Sequence, residues 1–188
     1  IGMLSALDLY PALMQAQVVI PKNSVWKYDD NGNNLGTAWR AVGYNDAGWA
    51  SGPGILGFGD GQATGLDWGE TTYYFRKQFT IANAAAVTAL SLELLRDDGA
   101  VVYINGQEVV RSNMPSGNIT SSTNADNIVS GSDETRCRVF NEREVARWRK
   151  CPKFYFSVCC ELTDNCRDNC SRGLSWAISI ERAENSDG

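Results

Sequence analysis

Histidine is absent from this chain of 188 residues. Serine and cysteine nucleophiles need a neighbouring base, so Ser-His-Asp and Cys-His chemistry is excluded. Zinc and iron centres ligated by histidine go with it. No run of about 20 uncharged apolar residues occurs, so no segment is long enough to cross a bilayer as a helix. Excess positive charge is missing as well. The net charge is −5 and the isoelectric point near 4.8. That is the wrong sign for a general nucleic-acid binder, which displaces counterions with a basic face. No C-x-x-C pair is present, which removes the usual thiolate zinc spacing, and there is no internal repeat.

What is present suits one domain with a substantial core: 43% of residues are hydrophobic and six are tryptophan. The character of the chain changes near residue 135. Residues 1–135 hold 7 Lys/Arg against 14 Asp/Glu, whereas residues 136–188 hold 10 against 8 and all six cysteines. Four segments follow. Residues 1–17 (IGMLSALDLYPALMQAQ) pair an apolar stretch with Pro11 and a small residue, Ala16, at a plausible cleavage point. They read as the tail of a signal peptide, with an amphipathic N-terminal helix as the alternative. Residues 18–135 form the main module, residues 136–173 a divergent, basic, cysteine-rich segment, and residues 174–188 a terminal strand and tail. Export would let the cysteines form up to three disulfides. Arg143, Arg147, Arg149, Lys150 and Lys153 surround Trp148. They form either a solvated face or a contact for an acidic polysaccharide.

Strand signals recur at short spacing. Residues 96–110 (RDDGAVVYINGQEVV) read as a turn, a strand, an Asn105-Gly106 hairpin and a second strand. Asn-Gly supplies the two positive-φ positions that a type I′ turn demands. In residues 71–81, Tyr73, Phe75, Lys77 and Phe79 alternate with Tyr74, Arg76 and Gln78, giving one mainly apolar face. In residues 88–95, Leu90, Leu92 and Leu94 alternate with Ser91 and Glu93. Further strands are expected at 24–28, 55–58, 153–159 and 174–180, a short helix at 142–150, and loops at 29–34 and 112–130. Short strands between turns predict an all-β sandwich or barrel.

Residues 24–28 (SVWKY), 36–40 (GTAWR), 46–49 (DAGW), 57–61 (GFGDG), 74–77 (YFRK) and 96–110, occurring in that order, resemble a module of secreted bacterial proteins. These modules have a galactose-binding-domain-like jelly-roll fold. They occur beside metallophosphoesterase (purple-acid-phosphatase-like) domains and in lamin-tail and spore-coat-kinase proteins. The resemblance covers residues 20–125. It implies a jelly-roll β-sandwich without catalytic residues, which binds carbohydrate or a cell-surface polysaccharide, or packs against a hydrolase domain. Secretion or cell-surface attachment is implied with it. Residues 136–173 depart from the family pattern.

Candidate ligand contacts are Trp68, Trp39 and Trp49, whose rings could stack on the apolar C–H faces of sugars. Burial in the core is the alternative for so large a side chain. Trp68, in the glycine-bearing stretch 65–69, is the first choice. Asp97 and Asp98 could help to hold calcium if carbonyls or waters complete its six to eight oxygens. The same pair next to Gly99 also suits a plain β-turn. Residues 29–34 (DDNGNN) pose the same alternative between turn and calcium loop. The expectation is thus a secreted, non-enzymatic carbohydrate-binding or surface-attachment module. The other reading is a structural domain that packs against a phosphoesterase-like hydrolase and has no ligand site of its own.

Overall fold

The computed structural model describes residues 15–58, 62–96, 98–129, 138–142, 153–161 and 173–182. Twelve strands lie among them: β1 (Gln15–Ile20), β2 (Val25–Asp29), β3 (Ala50–Pro53), β4 (Leu56–Gly57), β5 (Thr64–Gly65), β6 (Tyr73–Thr80), β7 (Val87–Leu95), β8 (Gly99–Ile104), β9 (Gln107–Ser112), β10 (Arg138–Glu142), β11 (Lys153–Glu161) and β12 (Gly173–Arg182). They form two six-stranded sheets. In the first, β7 lies between β10 and β12, and the other edge of β12 is shared by β1 and β4, with β5 parallel to β4. The second runs β3-β2-β6-β11-β8-β9, antiparallel throughout.

Alternation along the strands builds the core. Leu90, Leu92 and Leu94 of β7 meet Trp26, Tyr73, Phe75, Phe79, Ala100, Val102, Ile104 and Val110 of the second sheet. Trp26, Tyr73, Phe75 and Leu94 are fully buried, and each such side chain contributes about 1.5–3 kcal/mol. Two sheets with their inner faces in contact make a β-sandwich, so the expected all-β sandwich class is borne out. The Asn105-Gly106 turn joins β8 to β9 with φ of 50° and 81°, as its chemistry requires.

The outer face of the second sheet is also covered, by the loops at 35–49 and 113–125. Tyr74, Val101 and Tyr103 pack there with Trp39 and Met114, backed by Leu35, Tyr44, Trp49, Ile119 and Ala125. The alternation in β6 therefore separates two buried faces, and Arg76 is as enclosed as Phe75. Lys77, on the apolar side, sends Nζ to the Val25 carbonyl at 2.8 Å, and burial lowers its pKa.

The divergent segment 136–173 supplies β10 and β11, and β11 lies between β6 and β8. Gln15, Ala16 and Gln17, assigned above to a leader, pair with Arg182, Glu181 and Ile180. Glu142, the expected start of a helix over 142–150, ends β10 instead; the rest of that helix, the rest of the leader and most of the basic cluster lie outside the described residues. So do Cys137, Cys151, Cys166 and Cys170, while Cys159 and Cys160 are successive positions of β11.

Candidate functional site

Trp68 lies on the loop between β5 and β6, where Leu66 is buried as an anchor and the Trp68 ring is 51% exposed. The loop backbone around it is fastened. Asp67 N donates to Asp30 Oδ2 at 3.0 Å, the Tyr73 hydroxyl donates to the Asp67 carbonyl at 2.8 Å, and Glu70 N donates back to the same hydroxyl at 3.2 Å. Thr72 Oγ1 adds a bond to the Ser121 carbonyl at 3.0 Å. Phe58 supports the exposed ring edge-on, 5.2 Å from Trp68 and 5.5 Å from Tyr73. A line of aromatics thus leads from the surface to the core. An exposed indole on a braced loop loses little freedom when a flat apolar ligand settles on it.

The loop that carries this ring is acidic. Asp67 adjoins Trp68, and Asp30 is brought in by its bond to Asp67 N. The Glu70 carboxylate fills the space beside Gly32: a Cβ there would lie 1.7 Å from Glu70 Oε2. Gly32 itself has φ of 63°, a left-handed turn position. Burial pushes the Tyr73 phenol up to about 12, and the charges of Glu70, Asp30 and Asp67 add to the shift. Tyr28 is raised in the same way, by burial first and then by Asp30 and Asp67.

The other candidates lie elsewhere. Trp39 is 3% exposed, set edge-on to Tyr74 at 4.9 Å and Tyr103 at 5.7 Å, with Nε1 donating to the Gly36 carbonyl at 3.2 Å. It lines a small depression with Arg40, Tyr74, Tyr103, Ile119 and Thr120, and Arg40 lies over the Tyr103 ring at 4.5 Å. That depression has room for about one water molecule. Trp49 is half-buried against Tyr44 at 5.8 Å. Neither ring offers an open plate like that of Trp68.

Asp98 is buried, and its carboxylate accepts a hydrogen bond from Val129 N. Its partner in the expected pair, Asp97, lies outside the described residues. In the 29–34 loop, Asp29 accepts from Asn31 N at 3.2 Å and from Asn33 Nδ2 at 3.2 and 3.1 Å. The loop's own amides thus occupy both carboxylate oxygens, which is turn chemistry. Among the described residues, no three Cys, Asp or Glu side chains are grouped to hold a metal ion.

Sequence reading missed two features. The acidic rim joins residues from loops far apart in the chain. The second is a buried ion pair: Arg76 Nε donates to Asp46 Oδ2 at 2.8 Å, Nη1 to the Trp39 carbonyl and Nη2 to the Ala41 carbonyl at 3.2 Å.

No family model and no curated protein matches the chain. Its sandwich is similar to part of several glycoside hydrolases. The Bacteroides uniformis β-glucuronidase aligns with a TM-score of 0.55 at 14% identity, over 88% of this chain and 18% of that one. An uncultured Clostridium sp. β-glucuronidase gives 0.51 at 14%, over 96% and 31%. The Ruminococcus gnavus β-glucuronidase in complex with D-glucuronic acid gives 0.53 at 14%, over 92% and 31%. At such identity the likeness is one of fold. The chain spans less than a third of the length of these enzymes.

Proposed function

We propose that the chain is a non-catalytic carbohydrate-binding module, an accessory to a hydrolase domain, and that Trp68 is its sugar platform. The carrying observation is the exposed Trp68 ring held on a hydrogen-bonded loop and braced by Phe58. A pyranose would lay its C–H face on the indole, while Asp67 and Glu70 accept hydrogen bonds from its hydroxyls. Carboxylate acceptors make such bonds stronger than neutral ones. With one plate and no deep cavity, affinity for an oligosaccharide is expected on the order of 0.1–1 mM, as fits a small contact. The shared fold with β-glucuronidases supports a carbohydrate setting. The galactose-binding-like resemblance over residues 20–125 supports secretion to the cell surface.

The second reading is a structural domain without a ligand site, favoured by the small share of the neighbours' chains that this sandwich matches. A glycan array with calcium and with chelator separates the two. Binding that Trp68→Ala abolishes and chelator leaves intact supports aromatic stacking. Loss of binding in chelator would instead bring calcium and the Asp97–Asp98 pair into the site. A folded sample that binds no sugar would favour the structural role.

A further inference from the structure

Taking Trp68 as the sugar platform, we infer that this face selects ligands by charge: it takes neutral and amine-bearing sugars and excludes uronates. Three acidic residues lie on or against the loop that carries the ring: Asp67 and Glu70 belong to it, and Asp30 is tied to it by the Asp67 N to Asp30 Oδ2 bond, while Glu70 packs beside Gly32 of the 29–34 loop. Among the described residues the ion pairs are Lys22–Glu93, Lys27–Asp46, Arg76–Asp46 and Arg111–Glu108. None neutralises these three carboxylates. The phenols beneath, Tyr28 and Tyr73, respond to the same negative field.

A sugar stacked on Trp68 would bring its ring substituents within several ångströms of this rim. A uronate carboxylate, such as that of the D-glucuronic acid held by the Ruminococcus gnavus enzyme, would meet like charge there. An ammonium group, as on a deacetylated amino sugar, would meet opposite charge. The expected discrimination is about tenfold in each direction relative to a neutral sugar at low salt. It shrinks as added salt shortens the screening length. The structural likeness therefore does not extend to the ligand: the charge rim of this chain suits the opposite class.

The test is calorimetric titration of the full chain with three oligosaccharides of equal length: a β-glucan, a chitosan and an oligogalacturonate. The pH is held below the pKa of the amine, at low and at high salt. The chitosan should bind best, the glucan next and the oligogalacturonate least, with the spread closing at high salt. Asp67→Asn/Glu70→Gln should erase the difference between chitosan and oligogalacturonate, and Trp68→Ala should remove binding of all three. Both variants change exposed or half-exposed side chains, and a thermal melt checks that they fold. Oligogalacturonate bound as tightly as the glucan, and lost in Trp68→Ala, would overturn the charge selection while leaving the platform standing. Binding insensitive to Trp68→Ala, or no binding of any probe, would overturn the platform and the inference together.

Discussion

The Arg76–Asp46 pair gives the sharpest test of how the outer face of the second sheet is held. Arg76 is 1% exposed and Asp46 22%, so the two substitutions strand charges of different depth. Asp46→Ala removes the carboxylate that Arg76 Nε bonds, from a guanidinium that also meets the Trp39 and Ala41 carbonyls and lies 5.4 Å from the Tyr44 ring. Removing one partner of a buried ion pair costs about 3–5 kcal/mol. For a domain of this size that corresponds to a melting point lower by about 6–20 °C. Arg76→Met instead leaves Asp46 near water and still beside Lys27 Nζ at 3.3 Å. It strands the buried Trp39 carbonyl, at about 1–3 kcal/mol. The double variant removes both charges and should cost less than the two singles combined, with a coupling of about 1.5–3 kcal/mol. Directly paired residues in one network fail additivity by such amounts. Urea melts read by tryptophan fluorescence measure all three, and an unchanged slope confirms that the denatured state is comparable. Additivity within about 0.5 kcal/mol would refute the argument. It would mean that the Arg76–Asp46 contact does not hold the loop at 38–49.

Other expectations are more local. Burial holds the Tyr73 phenol neutral to about pH 12 against an ordinary value of 10.0. Its contribution is complete below pH 10 and is lost as pH rises through about 12, so alkaline difference absorbance should show a late-titrating tyrosine that disappears in Tyr73→Phe. Gly106→Ala should cost about 1–2 kcal/mol in a denaturant melt, because φ is 81° while the added Cβ meets nothing closer than the Arg40 carbonyl at 3.6 Å. Trp26→Ala should cost about 3–5 kcal/mol. Trp68→Ala should cost less than about 1 kcal/mol because the ring is half in water. Equal losses at these two tryptophans would argue against an open platform.

Local chemistry made much of the sandwich readable. The Asn105-Gly106 turn and the Leu90-Leu92-Leu94 alternation are decided by neighbours a few residues away, and both appear as expected. The pattern in β6 carried its parity and nothing more. Whether Tyr74 and Arg76 meet water depends on a loop thirty to forty residues upstream that folds back over them. Trp39 and Trp68 show the same limit: one residue type, at 3% and 51% exposure, is placed by tertiary return of the chain. The rim of the candidate site was hidden because Asp30 lies 37 positions from Asp67 in the chain. The central position of β11 was equally hidden: residues 153–159 read as a strand, but nothing local shows that it lies between β6 and β8.

That position of β11 has a consequence for the birth of the protein. Without β11 the second sheet falls into two ribbons, β3-β2-β6 and β8-β9. Without β12, β7 has no partner toward β1 and β4. Ile20 near the start must wait for Ile178 near the end. Pairings so distant are slow to close, so a chain emerging in order from a ribosome has no half-sandwich in which to rest. Until β11 and β12 are made, the strand edges that they cover on β6, β7 and β8 stay open to mispairing.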